Sequence, residues 1–392
     1  MYYLNGFIFY LTLVVFLFLA FQALYLFVFS VAGLMFSLKK YPESDETGRF
    51  AIYIPSYKED AVIIDTVLAA LLIDYPPAKR KIIVIADSLQ PDTLFKLRKL
   101  PIEVVEVSFE KSTKAKALNM ALLQTRGNFD YALVLDADNI CAKDFLHKLN
   151  DAFNAGYKVV QGHRVAKNTN TTYALLDAIS EGINNHIFRK AHRILGLSCA
   201  IIGSGMALSY RLFKEIIPEL TAIGGFDKEM ELRLLRKRIK FVYAEDALVY
   251  DEKTTQQSTM ANQRRRWLSA QLHYMQRYLG DGFVQLLKGN FDFFDKVMQT
   301  ILLPRIMLLG ITPAAFFLSL LPGHSLPPLY WLSIWVITYT AIIFAVPFEY
   351  FNARLFKAIL SLPAAFLSIF KLFFKLKNAN KTFIHTPHGV VK

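Results

Sequence analysis

A strand that leads into two carboxylates lies at residues 131–139, and it limits the folds open to this chain more than any other stretch. An apolar and aromatic run from Tyr131 to Leu135 continues directly into Asp136 and Asp138. Such an uninterrupted run is typical of a strand covered on both faces in a parallel sheet. In open α/β sheets, ligands bind in a crevice at the carboxyl ends of such strands. In extended backbone the side chains of Asp136 and Asp138 lie on the same face.

Two like charges this close are costly unless a cation lies beside them. Oxygen ligands of a hard divalent cation, completed by phosphate oxygens, form the usual Mg²⁺ or Mn²⁺ site for a nucleotide. Asp136 and Asp138 are therefore the predicted metal ligands. The alternative is an aspartate-containing turn after a strand, because Asp-x-Asp alone is a weak motif.

Composition separates the chain from ordinary soluble domains. Of 392 residues, 54% are hydrophobic, and the net charge is +13. From residue 350 onward there are seven Lys or Arg and no Asp or Glu. A basic chain with long apolar runs favours anionic membrane lipids over nucleic acid as partners. The two cysteines, Cys141 and Cys199, do not indicate a disulfide framework and fit a cytosolic domain.

Residues 1–38 carry no charge and supply more than the ~20 apolar residues that a helix needs to span a bilayer. A signal peptide would have a basic start and a small-residue cleavage site. Neither is evident, so a retained transmembrane helix is predicted. Lys39 and Lys40 follow directly, and positive residues favour the cytoplasmic side. We therefore expect an integral protein of a bacterial-type inner (plasma) membrane with a cytoplasmic catalytic domain.

The C-terminal third returns to membrane-like composition. Residues 297–321 and 327–348 are predicted to form a hairpin of two transmembrane helices, inside a segment 286–349 that begins with an interfacial stretch. Residues 355–376 are apolar but interrupted by a proline and by lysines. An amphipathic interfacial helix fits this pattern better than a third span, which would place the lysine-rich tail outside. Residues 350–392 are thus expected to form an interfacial helix and a basic tail.

Strands alternate with helices between a linker at residues 39–48 and residue 285. This alternation is typical of βαβ units and predicts an α/β domain with a Rossmann-like, mainly parallel sheet at residues 49–285. Right-handed crossovers place the carboxyl ends of parallel strands along one edge. Tyr57, Asp87 and Asp136 follow three predicted strands, so we expect them to line that edge.

Several short motifs follow these strands and open the helices. They are Pro55-Ser-Tyr57-Lys-Glu59, Asp87, Lys114-Ala-Lys-Ala-Leu-Asn119, Asp136 with Asp138, Gly224-Gly-Phe-Asp-Lys-Glu-Met-Glu-Leu-Arg-Leu234 and Gln263-Arg-Arg-Arg-Trp267. In this order they resemble the membrane-embedded family 2 glycosyltransferases with a GT-A fold. The pattern is most similar to the processive synthases of cellulose, hyaluronan, chitin and poly-N-acetylglucosamine, and the resemblance covers about residues 49–280.

The resemblance implies a role for each matched position. The residues matched to the binding of a UDP-sugar donor are Pro55, Tyr57, Glu59, Asp87, Lys114, Asp136, Asp138 and Arg266. Those matched to the catalytic centre are Asp227, as general base, with Gln263, Arg266 and Trp267 of the Gln-x-x-Arg-Trp signature. Asp138 and Asp136 match the metal ligands, and Mg²⁺ or Mn²⁺ is the implied cofactor. Arg264 and Arg265 are expected to face lipid.

The choice of base leaves one alternative open. The family usually has Glu before its base, whereas this chain has Phe226, so Glu229 is a rival to Asp227. Asp227 is preferred because residues 227–234 then match the family pattern without a gap. At a helix start Asp227 is also a candidate N-cap, and the helix dipole there favours its ionised form.

The implied function is inverting transfer from a UDP-sugar to a growing β-linked polysaccharide at the cytoplasmic membrane face, with an accessory export subunit as a candidate partner. One alternative is single transfer to a lipid acceptor, such as polyprenyl phosphate or a glycerolipid. Another is a membrane-anchored carbohydrate-binding subunit without activity. The Gln-x-x-Arg-Trp signature favours polymer synthesis, while the small number of spans leaves only a narrow pore and keeps the lipid acceptor open.

Overall fold

The computed structural model describes residues 2–222, 224–255, 257–323 and 325–373, with backbone only at 2–5, 257–262 and 372–373. The strands of its central sheet are β1 Phe50–Tyr57, β2 Arg80–Asp87, β3 Glu103–Val107, β4 Tyr131–Val134, β5 Ile140–Cys141, β6 Val159–Ala166, β7 Met206–Ser209 and β8 Val242–Asp251.

Helices cover both faces of this sheet and extend the chain at both ends. Those up to the end of the sheet are α1 Tyr2–Met35, α2 Ile63–Leu71, α3 Pro91–Leu97, α4 Lys114–Gln124, α5 Phe145–Asn154, α6 Thr172–Asn184, α7 His192–Ile194, α8 Tyr210–Ile216 and α9 Phe226–Arg236. Those that follow are α10 Gln257–Leu287, α11 Phe291–Gln299, α12 Arg305–Ser319, α13 Pro328–Ala345, α14 Ala353–Leu360 and α15 Leu362–Phe373. A π-helical turn, Asn185–Ala191, joins α6 to α7.

The sheet has the spatial order β3-β2-β1-β4-β7-β6-β8-β5. The first four strands are mutually parallel, which confirms the predicted α/β fold and brings the ends of β1, β2 and β4 to one edge. β7 runs antiparallel to both β4 and β6, and β5 runs antiparallel to β8. The sheet is therefore mixed: β6 and β8 form a further parallel pair, and the first motifs lie on the half made by β1 to β4.

Both faces of the sheet are buried, which explains why the strands read as nearly continuous apolar runs. On β1, Ala51 and Tyr53 enter one core cluster, while Phe50, Ile52 and Ile54 enter the other. Full burial of each large side chain contributes roughly 1.5–3 kcal/mol. These two clusters hold the strand ends, and hence the polar residues that follow them, in fixed positions.

The apolar pattern of residues 199–209, interrupted by Gly203 and Gly205, predicts a strand, but only β7 is a strand in the structure. Gly203 and Gly205 have φ values of 70° and 58°, in the left-handed region that a regular strand excludes. The chain before β7 is therefore a tight turn, and this turn contributes to the site described below.

Within the part of the chain that the structure describes, two helices are long and apolar enough to cross a membrane, Gly6–Met35 within α1 and Pro328–Ala345. They pack against each other in a third apolar cluster. The helix predicted at 297–321 is shorter than expected, because Val297 belongs to α11 in the domain core and Pro304 precedes the 15-residue α12. A helix of that length spans only ~22 Å, less than the ~30 Å hydrocarbon core.

The interfacial helix predicted at 355–376 is divided into α14 and α15, which are bent by 41° relative to each other. Counted together as one broken span, they would raise the number of candidate spans to three. α14 packs on α6 of the domain, and α15 packs on α12 and α10. The pair therefore connects the α/β domain with the apolar helices, and residues 374–376 of the prediction lie outside the described part of the chain.

Candidate active site

One large cavity, with a volume of about 1310 Å³, opens at the carboxyl edge of β1, β2 and β4. All residues that the sequence analysis assigned to donor binding, metal binding or catalysis contribute to its wall. They are Pro55, Tyr57, Glu59, Asp87, Lys114, Asp136, Asp138, Asp227, Gln263, Arg266 and Trp267. The fold thus brings together motifs that are far apart in sequence.

The ends of β1 and β2 build one wall. Tyr57 lies beside Asp87 in the strand register, and the backbone N–H of Lys58 donates to the carbonyl of Asp87 at 3.0 Å. Lys58 and Ser88 have φ values of 57° and 59°, so both chains turn sharply as they leave the sheet. The Ser88 hydroxyl donates to the buried Asp87 carboxylate at 3.1 Å. These turns fix Tyr57 and Asp87 at the cavity wall.

Three carboxylates form a compact cluster in the cavity. One oxygen from each of Asp136, Asp138 and Asp251 lies within 4.8 Å of the others. Asp138 is buried and accepts hydrogen bonds from the backbone N–H of Glu252 at 2.9 Å and from the Asn139 amide at 3.2 Å. Sequence analysis missed Asp251, although it closes β8 just as Asp87 closes β2. A carboxylate at a strand end was the available signal.

An ion-pair network fixes Asp251 in this cluster. Arg164 and Lys253 contact its carboxylate at 3.5 and 2.7 Å. Glu181 pairs with both Arg164 and Arg189 at 2.8 Å. Burial alone would raise the pKa of Glu181, but Arg164 and Arg189 hold it well below its ordinary value. The third carboxylate is thus held by charges from β6, α6 and the π-helical turn.

Lys114 links the carboxylate cluster to the start of α9. Its ammonium group pairs with Asp136, donates to the Gly203 carbonyl at 2.7 Å and lies 5.3 Å from the centre of the Phe226 ring. A Cβ atom on Gly203 would lie 2.8 Å from that ring, so only glycine fits this approach. Phe226, at the position where the family resemblance led us to expect Glu, is therefore an apolar wall beside Lys114.

Asp227 lies in the first turn of α9 and faces the cavity. Gly225, with a φ of 68°, is the N-cap, so Asp227 is not the capping residue. Burial raises the pKa of Asp227 above its ordinary value, although Lys228 acts in the opposite direction. This corrects the expectation that the helix start favours the ionised form, because burial of the carboxylate has the largest effect on its pKa. A higher pKa makes the carboxylate a stronger base.

Glu229, the rival base, lies outside the cavity wall and is only 1% exposed. Its carboxylate accepts hydrogen bonds from the backbone N–H groups of Thr221 and Ala222 at 3.0 and 2.8 Å. The Arg233 guanidinium donates to it at 2.8 Å. Glu229 therefore positions the segment before α9 and is not placed to meet a substrate.

Gln263, Arg266 and Trp267 lie on α10 and face the same cavity. Trp267 is 39% exposed, so part of its ring is open to a ligand. Burial lowers the pKa of Arg266, while Asp227 and Asp136 act in the opposite direction. Both carboxylates thus lie within electrostatic reach of this guanidinium.

Arg264, which was expected to face lipid, instead lines the cavity. Its guanidinium lies 4.9 Å from the centre of the Trp267 ring and pairs with Asp177 on α6 at 3.1 Å. It also donates to the hydroxyl of Ser180 at 3.4 Å. These contacts attach α10 to α6 and bring a further positive charge to the site.

Comparison with known proteins agrees with this geometry. A model of the family described as glycosyltransferase-like family 2 matches residues 48–270, the range that holds the sheet and every assigned site residue. The chain belongs to glycosyltransferase family 2. The family 2 domain, with apolar helices on either side of it, confirms the architecture that the motif order predicted.

Curated relatives of this family 2 glycosyltransferase include cellulose synthases. The chain is 31% identical over 106 residues to cellulose synthase 1 of Komagataeibacter xylinus, which is 27% of this chain and 7% of that protein. It is 29% identical over 132 residues to the UDP-forming cellulose synthase catalytic subunit of Pseudomonas fluorescens, which is 32% of this chain and 18% of that protein. The aligned segments thus span a small part of each relative.

A solved structure with a similar fold is the mannosyltransferase PcManGT from Pyrobaculum calidifontis, in complex with GDP-Man and Mn²⁺. The TM-score is 0.57 at 15% identity, over 85% of this chain and 96% of that one. At this identity the likeness concerns the fold of the family 2 domain alone.

Proposed function

We propose that this family 2 glycosyltransferase moves a sugar from a UDP-sugar to a hydroxyl group of a growing β-linked polysaccharide, with inversion, at the cytoplasmic face of the membrane. The observation that carries the proposal is the meeting of Asp227, whose pKa burial raises, with the Asp136 and Asp138 cluster in one cavity. Sugar transfer requires a proton acceptor at one reacting centre and charge stabilisation at the other, and the cavity offers both.

Asp227 acts as the general base in this mechanism. Its carboxylate takes the proton of the acceptor hydroxyl while that oxygen bonds to the anomeric carbon and the bond from this carbon to the diphosphate oxygen breaks. The electron pair of the broken bond leaves with UDP. Lys114 and Arg266 stabilise the negative charge that develops on the leaving group. A single displacement inverts the centre, so an α-linked donor gives a β-linked product.

Tyr57, Glu59 and Asp87 are assigned to the uridine and ribose of the donor, and Pro55 continues the same wall. An aromatic ring such as that of Tyr57 offers a flat surface for the base. Ionised carboxylates are acceptors, so Glu59 and Asp87 suit the hydroxyl donors of a ribose. The strand-end turns that fix Tyr57 and Asp87 support this assignment.

The carboxylate cluster fits a hard divalent cation, since three carboxylates present oxygens within 4.8 Å of one another. Asp138 and Asp136 would hold Mg²⁺ or Mn²⁺, with Asp251 as a further ligand. When bound, the cation supplies positive charge to the diphosphate of the donor. The Mn²⁺ present with the similar mannosyltransferase supports the choice of metal class.

Gln263 and Trp267 are assigned to the acceptor side. The exposed part of the Trp267 ring gives a sugar ring an apolar surface, and Gln263 offers both a donor and acceptors to sugar hydroxyls. The cellulose synthase relatives support a polysaccharide as the product. Extension at the membrane, with an accessory subunit for export, belongs to the same proposal.

The test is nucleotide release by the full chain in membranes, screened over UDP-Glc, UDP-GlcNAc and UDP-GlcA with Mg²⁺ or Mn²⁺, with GDP-mannose for comparison. We expect one UDP-sugar to give release that Asp227→Asn removes. The matched control is Asp92→Asn, which neutralises an exposed carboxylate on α3. Release from GDP-mannose alone would overturn the UDP assignment. No release from any donor would favour a carbohydrate-binding protein without activity.

A further inference from the structure

The cavity has a second part that donor binding and catalysis do not use. From the acidic cluster it continues between α12, α13, α14 and α15, where its wall is almost wholly apolar. Representative wall residues are Leu309, Ile342, Ile343, Phe356, Ile359 and Ile369. Phe356 is 73% exposed and Ile343 is 54% exposed, so both keep apolar surface that no other side chain covers.

The guanidinium groups of Arg264 and Arg305 lie where the apolar arm meets the part of the cavity that holds the acidic cluster. The hydroxyl of Ser180 accepts from Arg305 at 3.0 Å and from Arg264 at 3.4 Å. Arg264 has a carboxylate partner, Asp177. Arg305 donates to the Asn184 side-chain oxygen at 2.7 Å and to the Ser180 carbonyl at 3.0 Å, and it makes no ion pair in the described part of the chain. Its contacts are therefore with neutral groups.

The neighbouring carboxylate favours this charge from a distance but makes no direct ion pair with it. Glu181, the next residue after Ser180, is already bound by Arg164 and Arg189. A cation that is taken from water and left without a counter-ion is costly. A planar guanidinium in that position is suited to bind a phosphate through two parallel hydrogen bonds.

The apolar arm selects the rest of the ligand. A polysaccharide lying there would lose water from its hydroxyl groups without hydrogen-bond partners in return. A hydrocarbon chain would instead be stabilised by every CH₂ group that it buries. A ligand with a phosphate at one end and a hydrocarbon chain at the other is an anionic lipid. Because Arg264 lies against the Trp267 ring, a phosphate bound to Arg264 would lie on the Trp267 side of the cavity.

We propose that the acceptor is carried on a lipid phosphate. The phosphate binds Arg305 and Arg264, the hydrocarbon occupies the apolar arm, and the sugar hydroxyl at the far end of the lipid-borne glycan reaches Asp227. This inference rests on the proposed function, because it names the carrier of that acceptor. Since the lipid end stays seated while the glycan lengthens, we expect one or a few sugars to be added in each binding event.

The experiment measures binding of farnesyl phosphate, farnesol and inorganic phosphate to the detergent-solubilised full chain by titration calorimetry. We expect farnesyl phosphate to bind wild type at least tenfold more tightly than farnesol, and also more tightly than inorganic phosphate. Arg305→Gln should remove about tenfold to a hundredfold of that affinity, the contribution typical of hydrogen bonds to a charged group. Arg305→Lys should retain part of it. The matched control is Arg354→Gln, an exposed cation at the start of α14.

Three results would overturn the inference. Equal affinity for farnesyl phosphate and farnesol would remove the phosphate site. Equal affinity for inorganic phosphate and farnesyl phosphate would remove the hydrocarbon site. If Arg305→Gln weakened the binding of UDP as much as the binding of farnesyl phosphate, Arg305 would belong to the donor site. UDP release by the wild-type chain is measured separately, so failure of the proposed function and failure of the lipid carrier are distinguishable.

Discussion

Asp227→Asn and Glu229→Gln should produce opposite defects although the two residues share one helical turn. Loss of a general base typically lowers the rate about 10²- to 10⁴-fold, which corresponds to about 3–5 kcal/mol of barrier. The Asp227 carboxylate accepts from the Lys228 backbone N–H at 3.0 Å, and an amide oxygen can accept the same bond. We therefore expect Asp227→Asn to keep UDP binding and thermal stability near wild type while turnover collapses.

Glu229→Gln should instead weaken the fold. The substitution removes the charge that Arg233 contacts and brings an amide NH₂ group near the backbone N–H groups of Thr221 and Ala222. Hydrogen bonds to charged groups contribute about 1.5–3 kcal/mol, so the free energy of unfolding should fall by roughly 2–3 kcal/mol. Turnover per folded molecule should change far less than in Asp227→Asn.

The assay pairs UDP-release kinetics with thermal denaturation of the full chain in detergent. Because burial raises the pKa of Asp227, kcat/KM should fall as the pH drops through a value above the ordinary aspartate range. The residual activity of Asp227→Asn should lack this acidic limb. The assignment is refuted by a stable, inactive Glu229→Gln protein together with an active Asp227→Asn protein.

Three further outcomes are expected. Asp138→Asn, like EDTA treatment of wild type, should abolish transfer and weaken UDP binding while the melting temperature stays close to wild type, and full turnover in EDTA would exclude the metal site. Glu181→Gln should lower the free energy of unfolding by about 3–5 kcal/mol at neutral pH, because it leaves buried Arg189 without its carboxylate partner and leaves Arg164 with only the longer contact to Asp251. Since the pKa of Glu181 is held low, wild type should lose this contribution as the pH falls below the ordinary glutamate range, whereas the variant should not. Because the residues after 350 carry only basic charges, which favour the cytoplasmic side, a Lys392→Cys tail should resist labelling from outside intact cells, and labelling there would contradict the predicted orientation.

Local patterns were sufficient for the parallel half of the domain. Apolar runs that end in Tyr57, Asp87 and Asp136 predicted three parallel strands with polar ends at one edge, and the structure brings these residues to one cavity. The long uncharged run at the N-terminus likewise predicted a helix long enough to cross a membrane. The positions of these strands and of the N-terminal helix can be predicted because periodicity and composition are properties of a short stretch of sequence.

Features that depend on contacts distant in sequence were not predictable in this way. β7 runs antiparallel after the chain turns at Gly203 and Gly205, and two glycines in a sequence do not distinguish such a turn from a bulge within a strand. The place of Asp251 beside Asp138 depends on the antiparallel pairing of β8 with β5, the short strand that follows Asp138. The pKa of Asp227 depends on burial that only the assembled fold creates.

Anomeric configuration of the first transfer product tests the central claim most directly. The full chain would be supplied with the α-linked UDP-sugar that it turns over, labelled with ¹³C at the anomeric carbon, and the new linkage would be read by the one-bond carbon–proton coupling in NMR. Displacement by an acceptor hydroxyl with Asp227 as the only base predicts a β-linkage. An α-linked product would contradict the account, because it requires retention and hence a different use of the carboxylates in this cavity.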